Sequence, residues 1–278
     1  MTGLALAAVL AAAWAGTSEA AETRDPNARY SLSLGPSLHA PHMGELNKLI
    51  EEAPVPAGWN PTANYTNPSG FKGIALNGGG QIKLAYHFDD DLRGGLQLGT
   101  NWIAYKDTLH LSNVTSGTMI ADATASLELQ LPLAKIGVFF EKVFQFEEDP
   151  RLQLYAGGWA DLGTLIGARA KARSTAQVGE SSDAGSVSAD LNGNGWGAGG
   201  LGGAEFRIAE RLWLFGDVGF EYFVIRTLEY LRGRTHASVN GVEISTEPIR
   251  FLAAGFVVDN TGKHVPLDYS GWFLRIGV

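Results

Sequence analysis

W-G-A-G-G-L-G-G-A-E-F-R-I-A-E-R-L-W-L-F-G-D-V-G-F-E-Y, residues Trp196 to Tyr222, is the stretch whose reading decides the fold. Every second residue of its first half gives Trp196, Ala198, Gly200, Gly202, Ala204, Phe206 and Ile208, with no charge among them. The interleaved positions are Gly197, Gly199, Leu201, Gly203, Glu205 and Arg207. After Ala209-Glu210-Arg211 the alternation resumes, with Leu212, Leu214, Gly216, Val218, Phe220 and Tyr222 set against Trp213, Phe215, Asp217, Gly219 and Glu221. A period of two marks a strand, and a tight polar break between two such runs marks a hairpin. One face of each strand is aliphatic and aromatic; the other mixes Gly with Glu, Arg and Asp. That is the pattern of a strand with lipid on one side and a polar barrel lumen on the other.

The rest of the 278 residues fits one barrel with long loops. There is no cysteine, so disulfides, thiol catalysis and Cys-ligated metals are excluded. A net charge of −8 and a pI near 5.3 argue against a nucleic-acid partner. Hydrophobic residues make up 45%, yet mean hydropathy is −0.01, the average that alternating strands produce. Leu4–Ala15 is apolar but shorter than the roughly 20 residues of a spanning helix. Ser18-Glu19-Ala20 places small residues where a secretory peptidase cuts. Residues 1–20 are therefore expected to be a signal peptide, 21–29 a short periplasmic segment and 30–278 the barrel domain.

Taken in order, the alternation predicts strands over Tyr30–His39, Gly79–Phe88, Leu92–Tyr105, from Thr118 past Phe140, Leu152–Ile166, the hairpin above, and Leu267–Val278. Between Leu131 and Ile136 the apolar set changes from odd to even positions, which predicts a bulge or bend at Pro132. Met43, Leu46, Leu49 and Ile50 recur at helical spacing, predicting a short amphipathic helix over Met43–Glu52. Lys106–Gly117 and Lys171–Asn194 read as polar loops, the latter mobile, and Leu231–Pro266 as a long connection with a tight turn at Asn240-Gly241. Ile249–Val258 is a candidate extra strand pair that would raise the count from eight to ten. Long connections alternate strictly with short ones at Asp89–Asp91, Glu147–Pro150 and Ala209–Arg211. That sorting predicts an all-β, antiparallel up-and-down transmembrane barrel of about eight strands, with short periplasmic turns and long extracellular loops.

With these features the chain resembles the small outer-membrane barrels of the OmpA/OmpX/OmpW type. The resemblance is one of pattern and covers nearly all of residues 30–278. Its most specific part is the last strand, where Trp272, Leu274, Ile276 and Val278 alternate, although Val278 stands where such barrels carry a terminal aromatic. It implies outer-membrane localisation, contact with outer-membrane lipid, and delivery by the barrel-assembly machinery through that strand. It implies no catalytic motif, cofactor or metal. The expected role is a non-enzymatic envelope scaffold, adhesion or binding surface acting through its extracellular loops on an unidentified ligand. The alternative is a narrow channel for small solutes, and a lipid-modifying enzyme ranks lower.

Two residue sets carry these expectations. Lys83, Arg93, Glu128, Asp161, Glu205, Arg207, Asp217, Glu221 and Arg275 form the expected polar lumen network, since buried charges are costly unless paired. Trp102, Tyr105, Trp196, Tyr222, Tyr230 and Trp272 fall near strand ends and form the expected aromatic girdle. His39, His42, His110 and His264 share the outer end but lie on separate segments, a scatter that favours chance over a metal site.

Overall fold

The computed structural model describes residues 29–43, 76–116, 119–146, 149–178, 181–239, 242–245, 248–249 and 266–278. Fourteen strands and no helix occur among them: β1 (Tyr30–Pro41), β2 (Asn77–His87), β3 (Leu92–Ser116), β4 (Met119–Gln145), β5 (Leu152–Leu165), β6 (Ala168–Val178), β7 (Ser181–Asn192), β8 (Asn194–Ala209), β9 (Leu212–Ile225), β10 (Glu229–Val239), β11 (Val242–Ser245), β12 (Pro248–Ile249), β13 (Leu267–Asp268) and β14 (Gly271–Gly277). Of the proposed Met43–Glu52 helix only Met43 lies within the described residues.

Eight of the strands close into an antiparallel barrel, β1-β2-β3-β4-β5-β8-β9-β14 and back to β1. The remaining strands stand on its long-loop end. β4 pairs with β3 along one edge and is long enough to take two successive partners on the other: Leu133–Gln145 pairs with β5, while Asp122–Gln130 pairs with β6. From β6 a second sheet continues through β7 and β10 to β11. Lys106–Gly117 is therefore largely strand, since β3 runs on to Ser116 opposite β4. Most of Lys171–Asn194 is likewise β6 and β7. Loop composition misled here because Ser, Ala and Gly alternate as well as any strand residue once an edge is there to pair with. Val239 pairs with Val242, leaving Asn240 and Gly241 as the whole connection. The barrel closes at eight; of Ile249–Val258 only Ile249 is described.

Apart from Ala209↔Leu212, which follows a register shift at the β8–β9 turn, barrel pairings match even numbers with even and odd with odd, as in Lys83↔Gln97, Trp102↔Pro132 and Trp272↔Phe220. Opposed residues share a face, so even-numbered side chains face outward and odd-numbered ones face the axis all round the barrel. No bulge exists at Pro132: the β3–β4 register is continuous from Leu92↔Lys142 to Leu111↔Ala123. What changes there is chemistry. On β3 the outward residues are Leu96, Leu98 and Trp102, then Lys106, Thr108 and His110; the inward ones are Arg93, Gln97 and Asn101, then Ile103, Tyr105 and Leu109. β4 inverts at the same level, from outward Phe140, Val138 and Ile136 to outward Gln130 and Glu128, and from inward Glu141 and Lys135 to inward Leu133, Leu131 and Leu129. The facing stays constant while the chemistry of the two faces is exchanged.

Candidate functional site: the lumen and its two ends

Between a vestibule at the short-turn end and an apolar cluster at the long-loop end, the described side chains pack the interior. Nearest the short turns, Glu141 accepts hydrogen bonds from Lys83 Nζ and from Arg93 Nε (2.8 Å). Arg93 also grips Glu205 with both terminal nitrogens, at 2.6 and 3.0 Å. A second fork joins Arg275 to Asp217 at 2.7 and 3.1 Å, and the Tyr155 hydroxyl donates to Asp217 at 2.9 Å. Such bidentate, charge-assisted pairs fix orientation as well as adding strength. A third group unites Lys135 with Glu221, with His39 Nδ1 at 3.8 Å from the same carboxylate. Phe139, Tyr155, Trp159, Leu201 and Phe273 pack between these polar groups. Arg93 lies 4.9 Å from the Tyr155 ring centroid and Arg275 4.6 Å from that of Phe273.

Glycines on the inward face of β8 make the room for this packing. A Cβ on Gly199 would run into the Trp159 indole, and one on Gly203 would sit 2.7 Å from the Tyr155 ring. The Gly-rich opening stretch is thus the inside wall on which the aromatic rings lie.

At the long-loop end the lumen is closed by a separate apolar cluster. Ile103, Leu129, Leu131, Leu133 and Leu165 meet Phe223, Ile225, Leu267 and Tyr269, with Met43 buried among them. The Tyr269 hydroxyl satisfies itself by donating to the Leu131 carbonyl at 3.0 Å. At the other end a vestibule of about 520 Å³, lined by Ser33, His87, Trp213 and Arg211, stops at the Arg93–Glu205 pair. The interior gap beside Ser37, His39 and Glu221 measures only about 20 Å³, room for a water molecule. There the Ser37 hydroxyl lies 3.0 Å from His39 Nε2. Ser, His and Glu are thus aligned, but no acyl group could enter, and Lys135 already holds the carboxylate. The alignment is a buried polar contact. Among the described residues no metal-ligating cluster forms.

Of the nine expected lumen residues, Lys83, Arg93, Glu205, Asp217, Glu221 and Arg275 lie in these ion pairs, and Asp161 is buried beside them. Glu128 is elsewhere: it sits on the outward face of β4 above the inversion, where it accepts a hydrogen bond from Gln130. Arg207 faces inward at the short-turn rim, 5.9 Å from the Trp213 ring, outside the network. Glu141 and Lys135 are central and stand outside the expected set, although the even-numbered apolar run Ile136, Val138, Phe140 already puts the odd-numbered Lys135, Phe139 and Glu141 on the opposite, inward face.

No known protein family matches this chain, and no curated protein does. The site therefore has to be read from its own chemistry.

The aromatic residues divide similarly. Trp102, Trp196, Tyr222 and Trp272 face outward at the long-loop end, with Trp196–Tyr222 and Phe220–Trp272 ring pairs at 5.7 and 5.5 Å. Tyr105 instead points inward against the apolar cluster, because its odd number puts it on the axial face. Tyr230 is on β10, paired with Leu191, in the second sheet and not in the barrel wall. A second belt, unanticipated, lies at the short-turn end: Tyr30, Tyr86, Phe88 and Phe140 form a chain of ring contacts at 5.2, 5.1 and 6.1 Å. Its residues are all even-numbered, which is the signal that could have found them.

Proposed function

We propose that the chain is an outer-membrane barrel, exported by its N-terminal segment, whose lumen is a structural core and whose work is done by the β-sheet it raises outside the membrane. The observation that carries this is the simultaneous inversion of β3 and β4. Outward Leu, Ile, Val, Phe and Trp side chains are exposed all round the barrel wall, Val218 by 53% and Trp272 by 63%, an apolar area that water does not tolerate on a monomer. On β3 the outward apolar run from Leu92 to Trp102 is ten residue steps. At about 3.4 Å per step and about 40° of tilt that is a band roughly 26 Å tall, against the ~25 Å of membrane barrels. Aromatic rings edge it on both sides, as interfacial belts do.

A filled lumen supports a scaffold over a channel. Three ion-paired groups and an apolar cap occupy the axis, so a solute would have to break buried charge pairs to pass. The second sheet, β6, β7, β10 and β11 on the extended β3–β4 hairpin, supplies a rigid surface for a binding partner, where unstructured loops were expected. Membrane lipid is the barrel's solvent, and β14 serves as the strand presented to the assembly machinery. Planar-bilayer reconstitution of the full chain tests this reading. Silence, together with a heat-dependent change in gel mobility, is the expected result; steady single-channel conductance would replace it with the channel reading.

A further inference from the structure

The outward face just above the apolar band is basic in a chain that is acidic overall. Register places Lys106 opposite Glu128, Glu128 opposite Lys171, Gln130 opposite Arg169 and Ser126 opposite Arg173, all on one face. Arg169 also meets Asp190 at 3.2 Å. Among the described side chains of β3, β4, β6 and β7 up to the level of Arg173, four cations, Lys106, Arg169, Lys171 and Arg173, thus face two carboxylates, Glu128 and Asp190, an excess of two positive charges against −8 for the whole chain. Two neighbouring depressions of about 430 and 290 Å³ open on this face and share Glu128 and Lys171 as lining.

Height is what gives the face a partner. Pro132, opposite Trp102, marks the top of the apolar band, and its carbonyl accepts the Ile166 amide at 2.9 Å where the chain enters β6. Arg169, Lys171 and Arg173 lie opposite Gln130, Glu128 and Ser126, two, four and six residues above Pro132. With about 3.3 Å per residue and ~40° of tilt they stand roughly 5, 10 and 15 Å above the hydrocarbon edge. Headgroups occupy about the first 5–8 Å, and long cationic side chains reach along such a boundary. Hydroxyls of Thr108, Thr124 and Thr175 share the upper depression and supply further hydrogen-bond donors.

We infer that this face binds the phosphate groups of anionic lipid headgroups in the outer leaflet, with Arg169 at headgroup height and the long side chains of Lys106 and Lys171 reaching down beside it; the Arg169–Asp190 pair is exposed and leaves further guanidinium donors facing out. The inference rests on the membrane reading above. It makes the second sheet a lipid-facing collar on the β4–β6 side, leaving its β10–β11 end for other contacts.

The test uses the full chain folded in a neutral maltoside detergent and titrated with dihexanoyl phosphatidylglycerol, dihexanoyl phosphatidylcholine or inorganic phosphate, with lipid adducts counted by native mass spectrometry. The expected result is preferential retention of phosphatidylglycerol. The triple variant K106Q/R169Q/K171Q should lose that preference, by about fivefold per cation and so roughly 100-fold at low salt. Arg169→Gln alone changes an exposed side chain and should lose about fivefold. Unchanged retention in the triple variant, with its heat-dependent gel shift intact, would overturn the inference. Equal protection by inorganic phosphate would overturn it too, in favour of a free-anion site. Failure of the wild-type chain to insert into phosphatidylcholine vesicles is a different result: it removes the membrane reading itself.

Discussion

A side chain's worth in this molecule depends on which way its number points it. Val218, even-numbered and outward, should cost about 2–4 kcal/mol as Val218→Arg, because a cation is placed in hydrocarbon at mid-strand. Urea unfolding in vesicles measures it; tolerance would mean that lipid is absent from that face. Glu141 is the inward counterpart. It alone holds both Lys83 and Arg93, and Glu141→Gln leaves Lys83 buried with no other carboxylate partner among the described residues. A loss of about 3–5 kcal/mol is expected, the usual result of breaking a buried pair from one side. A Lys83→Met/Glu141→Gln double variant should recover part of that loss, since Arg93 keeps Glu205. Gly199→Val drives a branched side chain into the Trp159 ring and should cost roughly 1–3 kcal/mol, the range for overpacking.

Legibility at this scale followed the constancy of the environment. Wherever one face of a strand stays apolar along its length, alternation in the sequence reports facing directly, and the inward charged residues of β8, β9 and β14 could be anticipated one by one, though not their partners. On the membrane reading proposed above, β3 and β4 cross from one medium to another. Their apolar side chains exchange faces there, and any reading that equates apolar with outward invents a phase shift. That error displaced Glu128 into the lumen, while Lys135 and Glu141 had the right parity below the boundary. Tyr105 differs again: its odd number sets it opposite to Trp102, and only its position near a strand end suggested a girdle.

For the strand as a unit, the inversion on β4 is itself testable. Gln130→Arg lies above the band and should be neutral within about 0.5 kcal/mol, as ordinary surface changes are. Val138→Arg, eight residues lower on the same face, should cost about 2–4 kcal/mol. Equal effects at the two positions would remove the boundary. Elements beyond the barrel were least legible. β6, β7 and β10 are rich in Ser, Ala, Gly and Arg, and their pairing is dictated by an available edge more than by their own side chains. The β3–β4 hairpin presents that edge once β5 turns away at Leu165. A strand whose partner is known only in three dimensions reads as a loop in one.

For the molecule as a whole, the barrel and the sheet it carries are joined chiefly through β4 and the apolar cap. β5 and β8 pair directly from Leu152↔Phe206 to Thr164↔Asn194, and nothing between them in sequence is needed to close the wall. Residues 166–193 form an excursion that leaves and returns at one point, pinned where the Leu165 amide meets the Gly193 carbonyl at 3.0 Å. Replacing that excursion with a two-residue Asn-Gly turn, the connection favoured between adjacent antiparallel strands, should leave a closed barrel that still shifts on heating. It should also be less stable, because Ala168, Ala189 and Leu191 belong to the apolar cap and their removal opens it to water. The lumen should nonetheless stay non-conducting in planar bilayers, since all three ion-paired groups lie on strands the deletion spares. A truncated chain that folds and conducts would mean that the cap, and not the charge network, seals the axis. One that cannot fold would mean that β6 and β7 are part of the barrel's own core.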